Sequence, residues 1–374
     1  MAVGISFQTC ATRADDWWFD AGPVYRGGMR MNITGQSYAQ QLGLHAVPAP
    51  MVAPPSAGQS GVLGDRVYDD GYVKLDSGTL NPNSVGGAGN TWNWGYNQAS
   101  QYNAQAGTLT FHKQGDVGYQ TSAGSSSTAK DLDGAGIQLS GGFRIYESGR
   151  WSVGLGLGLQ GLWGLETKSS VRAFSDTVGR LTVTDTRNVT SAADPNLGFP
   201  LPQDYAGTYA GPAGGSSTWG GGFPVIGNLP DGRTTSMETL STSINTVDYR
   251  VKTDFYEFTL GPKIGYQASE SVSLHLTPKL GLALLDVSAK RAETFVDSTQ
   301  GNLGNWNDSS SSSKWRFTTG LSAGADVDLG GGYYAGLNGG YEWTVADVSF
   351  NLGPNNVSFS GSGYVFGLTF GKRF

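Results

Sequence analysis

The chain has 374 residues, enough for one large domain or two average ones, with 58 glycines and only 14% charged residues. Its net charge of -6, without a basic cluster, argues against a nucleic-acid partner held by phosphate neutralisation. The single cysteine, Cys10, excludes an internal disulfide, and no stretch approaches the roughly 18–20 apolar residues of a membrane-crossing helix.

The start, MAVGISFQTCATRADD, lacks a basic n-region and has only a short apolar run, so it does not read as an export signal. From residue 17 the chain alternates. Residues 17–33 put Trp17, Phe19, Ala21, Tyr25, Met29, Met31 and Ile33 on one face, with Asp20, Arg26, Arg30 and Asn32 on the other. Such period-two patterning is a strand signal, because successive side chains point to opposite faces. Residues 34–133 break it and read as a long loop. PAPMVAPPSAGQ at 48–59 is too Pro-rich for a central strand, 65–76 and 107–114 read as short strands, and TWNWGY at 91–96 carries Trp92, Trp94 and Tyr96.

Alternation returns at 134–146, with Ile137, Leu139, Phe143 and Ile145 against Gln138, Ser140 and Arg144, and continues through WSVGLGLGLQGLWGLE at 151–166. Residues 170–247 read as a second long loop, in which 180–188 and 238–246 could pair. Residues 248–266 set Tyr256, Phe258, Leu260, Ile264 and Tyr266 against Glu257, Thr259 and Lys263. Residues 272–284 set Leu274, Leu276, Leu280 and Leu282 against His275 and Lys279; 314–329 set Trp315, Phe317 and Leu321 against Arg316 and Asp326; 333–349 set Tyr333, Leu337, Tyr341 and Trp343 against Glu342. The terminal strand YVFGLTFGKRF ends on Phe374.

These are eight strands. Their connections alternate between tight turns, at 147–150, 268–271 and 329–332, and longer ones at about 34–133, 170–247, 296–313 and 350–356. That asymmetry belongs to an all-β, antiparallel up-and-down β-barrel of the bacterial outer membrane, here a single domain over 1–374. Aromatics agree: Trp17, Phe19, Trp151, Tyr266, Tyr333 and Phe374 fall near the short turns, and Trp163, Tyr256, Trp315, Tyr341 and Trp343 toward the long loops. Two such girdles flank the apolar band where lipid meets headgroups. A soluble β-sandwich is the competing fold, but its strands average about six residues, and these runs are mostly twice that. Ten or twelve strands remain the architectural alternative.

In these eight strands the chain resembles the small outer-membrane barrels of the OmpA transmembrane-domain and OmpX kind. The final aromatic residue is similar to the signal such barrels show to the barrel-assembly machinery, although Lys372 stands where they carry an apolar residue. The resemblance implies outer-membrane lipid and lipopolysaccharide as surroundings, and an extracellular ligand as a possible partner of the loops.

Lumen parity collects Asp20, Arg26, Arg30, Arg144, Glu257, Lys263, Lys279, Arg316, Asp326 and Glu342. Eight strands leave room for little but side chains, and charges there must pair. A lumen plugged by ion pairs follows, with a structural or surface-interaction role; a small-solute channel is the alternative. Trp92, Trp94 and Tyr96 read as a carbohydrate platform or, more plainly, as a small core pinning the loop. Asp69, Asp70 and Asp76, and Asp131 with Asp133, lack the spacing of a calcium loop. No G-x-S-x-G elbow occurs, the three histidines (His45, His112, His275) form no cluster with cysteine, and the sequence points to no enzyme, metal or cofactor.

Overall fold

The computed structural model describes residues 17–44, 65–74, 90–91, 93–123, 126–191, 205–206 and 224–374. The chain falls into two compact units: Met1–His45, Ser122–Ser175 and Ile244–Phe374 form one, and Ala46–Thr121 with Asp176–Ser243 the other.

The first unit is built on β1 (Trp17–Gly35), β2 (Thr128–Ser148), β3 (Trp151–Ser191) as far as Ser175, β4 (Gly232–Gln267) from Ile244 onward, β5 (Val272–Asp297), β6 (Gly301–Gly330), β7 (Tyr333–Thr344) and β8 (Gly363–Arg373). Each is hydrogen-bonded to its neighbours in chain order, and β8 closes back on β1, so the eight form a ring. The closing register runs from Trp18↔Arg373 to Gly27↔Tyr364, and β1 meets β2 on its other edge from Trp17↔Phe143 to Ile33↔Thr128. A hairpin of Val348–Leu352 and Asn355–Ser360 continues the wall where β8 stops, pairing with β1 from Arg30↔Ser360 to Gly35↔Asn355.

Two kinds of surroundings are written along single strands. On β5 the outward residues Leu274, Leu276, Leu280 and Leu282 are exposed and apolar, while His275, Thr277 and Lys279 face inward. From Ala283 onward the side chains keep their faces but exchange their chemistry. Ala283, Leu285, Val287 and Ala289 are buried inward, and Asp286, Ser288 and Lys290 lie outward. The inward apolar stretch joins Met29, Met31 and Ile33 of β1, Leu162, Leu165 and Phe174 of β3, Val247, Val251 and Phe255 of β4, and Val357 and Phe359 of the hairpin in one core. This reversal corrects the expected loops. Much of 170–247 is the continuation of β3 and β4, and 296–313 is mostly the β5–β6 hairpin. An apolar outer stripe marks only the lower part of each strand, so a search for that stripe stops too early.

Two glycines reset the parity. Gly28 has φ +79 and Gly164 φ +69, conformations that an L side chain resists. At Gly28 the β1–β2 register slips between Arg26 and Met29, so both Arg26 and Met29 turn inward. Across Gly164, Leu162 and Leu165 are likewise both buried. Each bulge leaves a backbone N–H that an aspartate on the next strand accepts: Asp133 for Gly28 at 2.9 Å and Asp254 for Gly164 at 2.7 Å.

In the second unit, short strands at Arg66–Val67, Gly71–Val73, Trp94–Tyr96 and Tyr205–Ala206 make a four-stranded sheet. Its core gathers Tyr68, Val73, Trp94, Tyr96, Leu109, Phe111, Val189 and Ile226. Asp185, fully buried, holds the fork of Arg233 at 2.5 and 2.7 Å and accepts the Tyr68 hydroxyl at 2.5 Å. Burial pushes the Tyr68 phenol up to about 12, against the pull of Arg187, so it stays a donor.

Candidate functional site: the interior of the ring

From the short-turn end inward, the interior is crossed by successive polar knots. Asp20 accepts hydrogen bonds from Ser140 Oγ and, at 2.8 Å, from Tyr334 Oη. Asp326 draws together Lys263 and Arg373, each at 3.3 Å, with His275 at 3.7 Å. The Arg373 guanidinium lies over the Tyr334 ring at 4.7 Å. Trp18 stands beside this knot with Lys263 over its ring at 5.5 Å. Glycines make room for it: a Cβ on Gly154 would stand 2.9 Å from that indole.

Deeper, Arg26 is the crossing point. Its fully buried guanidinium pairs with Glu257 of β4 at 3.2 Å and with Glu342 of β7, and gives two further hydrogen bonds to the Gly361 carbonyl at 3.1 and 2.6 Å. Lys279 reaches Glu342 at 3.3 Å. Two cations thus face two carboxylates, the balance that a low-dielectric interior demands. The planar fork of arginine suits several acceptors at once. Phe255 packs on the guanidinium at 4.1 Å, and with it the apolar core begins. Between the knots lies a polar cavity of about 90 Å³, lined among others by Gln138, Gln160, Lys279 and Asn338. It has room for a few waters and little else.

Within the apolar core, between Ala289 and Phe295 of β5, lies a third knot. Arg291 pairs with Glu293 and, at 3.4 Å, with Asp308. Glu293 also accepts from Asn245 at 2.8 Å and from the backbone N–H groups of Tyr38 and Ala39 at 2.8 and 2.9 Å. Those two residues open the one-turn helix α1 (Tyr38–Gln41), capped by Ser37. Its free first-turn N–H groups thus rest on a buried carboxylate, as helix starts favour.

Seven of the ten residues of lumen parity meet in the first two stretches of this interior: Asp20, Arg26, Glu257, Lys263, Lys279, Asp326 and Glu342. Three do not. Arg30 is exposed on the outward face, because the Gly28 bulge changes parity before it. Arg144 pairs with Glu147 at the short-turn end, and Arg316 donates to the Asp347 carbonyl at 3.0 and 3.2 Å. Arg373, Tyr334 and the Arg291–Glu293 pair were missed. Arg373 had a signal, since it shares the polar face of the last strand with Thr369 and Gly371.

Outside the ring, Trp17, Phe19, Trp151, Trp163, Tyr256, Trp315, Tyr333, Tyr341, Trp343 and Phe374 all present exposed rings, and Tyr266 packs on Trp151 at 4.9 Å. Lys372 places its amine 5.0 Å from the ring centres of both Tyr333 and Phe374, a cation–π contact. The sugar-platform reading of the loop is corrected: Trp94 and Tyr96 are 0% and 1% exposed and form the core of the second unit, while Trp92 lies outside the described residues. Asp69 and Asp70 are tied to Lys113 at 2.5 Å and to His112 Nδ1 at 2.6 Å; Asp76 lies outside the described residues. Among the described residues no group of three His, Cys, Asp or Glu side chains could hold a metal ion, and no helix is long and apolar enough to cross a membrane.

No protein-family model and no curated protein matches the chain. Among solved structures it is similar to the outer membrane protease OmpT of Escherichia coli, at 8% identity over 99% of this chain and 100% of that one, with a TM-score of 0.26. It is also similar to Ail, the attachment invasion locus protein of Yersinia pestis, at 11% identity over 71% and 95% of the two chains and a TM-score of 0.21. A FadL homologue of Pseudomonas aeruginosa follows at 11% identity over 96% and 91%, with a TM-score of 0.20. The expectation that the chain is not an enzyme is withdrawn, because a protease is among these structures. The likeness stays at the level of an all-β chain of the outer-membrane kind.

Proposed function

We propose that the chain is a bacterial outer-membrane barrel with a closed lumen, whose role is structural or exercised at its surface and not the passage of solutes. One observation carries the reading. Arg26 spans the interior between Glu257 and Glu342 on strands β4 and β7, with the apolar core behind it. Two seals of different chemistry lie in series, so removing one leaves the other. The outward band of Leu, Phe and Trp supports the membrane setting: Leu157, Leu280 and Phe317 are 63%, 70% and 69% exposed, which water would penalise. Lipid of that membrane, and the assembly machinery that reads a terminal aromatic strand, are the partners this reading implies, and the kinship is with the small OmpA- and OmpX-like barrels. The test is conductance of the refolded protein in a planar bilayer. A silent membrane is expected, and it stays silent for Arg26→Ala because the apolar core remains. Stable porin-like steps from the parent overturn the reading.

A further inference from the structure

The wall of the ring is not hydrogen-bonded over its whole height. β6 keeps β5 on one edge throughout, from Val272↔Val327 to Asp297↔Gly301. On its other edge β7 accompanies it only as far as Thr318↔Thr344, where the ladder ends with the Val345 N–H donating to the Phe317 carbonyl at 2.9 Å. From Arg316 back to Gly301 that edge has no strand partner among the described residues. Backbone groups alternate between the two edges of a strand, so Ser313, Ser311, Ser309 and Asn307 turn theirs to the open side. The hairpin of Val348–Leu352 and Asn355–Ser360 stands opposite. Its second strand is zipped to β1, but Val348–Leu352 pairs only with its own hairpin partner. Two unpaired edges therefore face each other along a seam.

Side chains make the contacts across that seam. At one end Arg316 donates from Nε and Nη2 to the Asp347 carbonyl at 3.2 and 3.0 Å. At the other the hairpin turn comes up to β6, where a Cβ on Gly353 would collide with the Asp308 carboxylate. Between these two points β6 offers Ser309 to Ser313, whose side chains are too short to reach over. Ser310 and Ser312 share the inward face with the buried Ala289 and Val287, yet they stay half-buried, and Lys314 beside the buried Leu285 is exposed. Water thus reaches the inner side of β6 here, as it does not on β5. Val348 and Leu352 of the hairpin, both 0% exposed, close the apolar core behind it. The feet of the hairpin are held without β6. Arg26 binds the Gly361 carbonyl, the Thr344 N–H donates to Ser362 Oγ at 2.9 Å, and Ser358 Oγ donates to Asp347 Oδ2 at 3.0 Å.

We propose that the hairpin is a flap, hinged on β1 and on its feet, that parts from β6 along the seam and opens the apolar core sideways. Elsewhere in the ring two strands part only by breaking a ladder of main-chain bonds. Here the Arg316 clamp and the packing of Val348 and Leu352 are what resist, so this stretch of wall opens at lower cost than its neighbours. The seam begins beside the girdle residues Trp315 and Trp343 and lies beyond the Arg26 crossing, so the flap moves without opening the ring from end to end. Thiol accessibility tests it. Single cysteines are placed in a Cys10→Ser background, and the refolded full chain is treated with a water-soluble maleimide. Val348→Cys is expected to react about tenfold faster than Val251→Cys, an equally buried core position on β4, which is paired on both edges. Arg316→Ala is expected to speed Val348→Cys by about tenfold again and to leave Val251→Cys unchanged. Leu352→Cys, at the other end of the same strand, gives the same reading should Val348→Cys fail to regain its β-sheet circular dichroism. Equally slow labelling of hairpin and control, with no effect of Arg316→Ala, overturns the flap. Fast labelling of both overturns it too, because the core then opens as a whole. Conductance of the same preparations remains the separate test of the closed lumen.

Discussion

Asp133 on β2 accepts the backbone N–H of Gly28 on β1 at 2.9 Å, at the residue where β1 changes which side chains it turns inward. Asp254 does the same for Gly164 one strand pair further round the ring. A bulge without such a partner would hold its freed N–H against water alone. Here the carboxylate fixes the place of the slip, and so decides that Arg26 points in and Arg30 points out.

Replacing Gly28 by alanine tests that device. With φ at +79 and the Tyr364 ring 3.2 Å from where the new Cβ would stand, Gly28→Ala is expected to cost about 1–2 kcal/mol. Gly156→Ala, whose Cβ would meet Trp18 at an ordinary 3.4 Å, is expected to be nearly neutral. Urea unfolding from vesicles measures both, and equal costs would remove the special role of Gly28.

Leu157, 63% exposed on β3, probes the outward face. Leu157→Arg is expected to destabilise by about 2–4 kcal/mol, as charges do near the midplane of such rings. Gly156→Ser, one residue away and inward, is expected to cost much less. If both changes are tolerated alike in the same titration, the outward band does not meet lipid.

The Arg26 knot makes a double-mutant prediction. Arg26→Met leaves Glu257 and Glu342 facing each other without their shared cation and is expected to cost about 3–5 kcal/mol. Adding Glu257→Gln restores the balance, because Lys279 still pairs with Glu342 at 3.3 Å. The double variant is therefore expected to recover at least half of the loss. Additive losses would mean that the two residues do not act as one unit.

Sidedness follows from the hairpins. In a Cys10→Ser background, a cysteine at Gln300, at the tip of the β5–β6 hairpin, is expected to react with an impermeant thiol reagent on intact cells. One at Ser148 or Gly331, in the tight turns at the other end, is expected to stay unlabelled until the cells are opened. Labelling of all three alike would sink the assignment of ends.

How far the sequence could be read follows from the same physics. Leu274 to Leu282 stand out because a stripe of leucine at every second position has few explanations. Asp308 to Lys314 do not: a run of serines carries the composition of a loop, yet it pairs residue for residue with Leu285 to Arg291 of β5. Serine serves there because that outward face meets water. Arg30 was misplaced for a different cause, since simple counting of odd and even positions cannot see a bulge unless Gly28 is recognised as one. Trp94 and Tyr96 were ambiguous because an aromatic pair reads the same whether it stacks on a sugar or is buried in one core with Phe111. The ion-pair partners of Arg26 needed the register of strands that lie far apart in the chain.

The exchange of chemistry along β5 has a calorimetric consequence. When the chain unfolds in a micelle, Leu280 and Leu282 leave one hydrocarbon environment for another and contribute little to the heat-capacity increment. Leu285, Val287 and Phe295 pass from the apolar core into water and contribute fully. The increment per residue should therefore fall well below that of a water-soluble chain of equal length, and its size should report the inner core alone. Cooling would then weaken the far half of the same strand while leaving the near half almost indifferent.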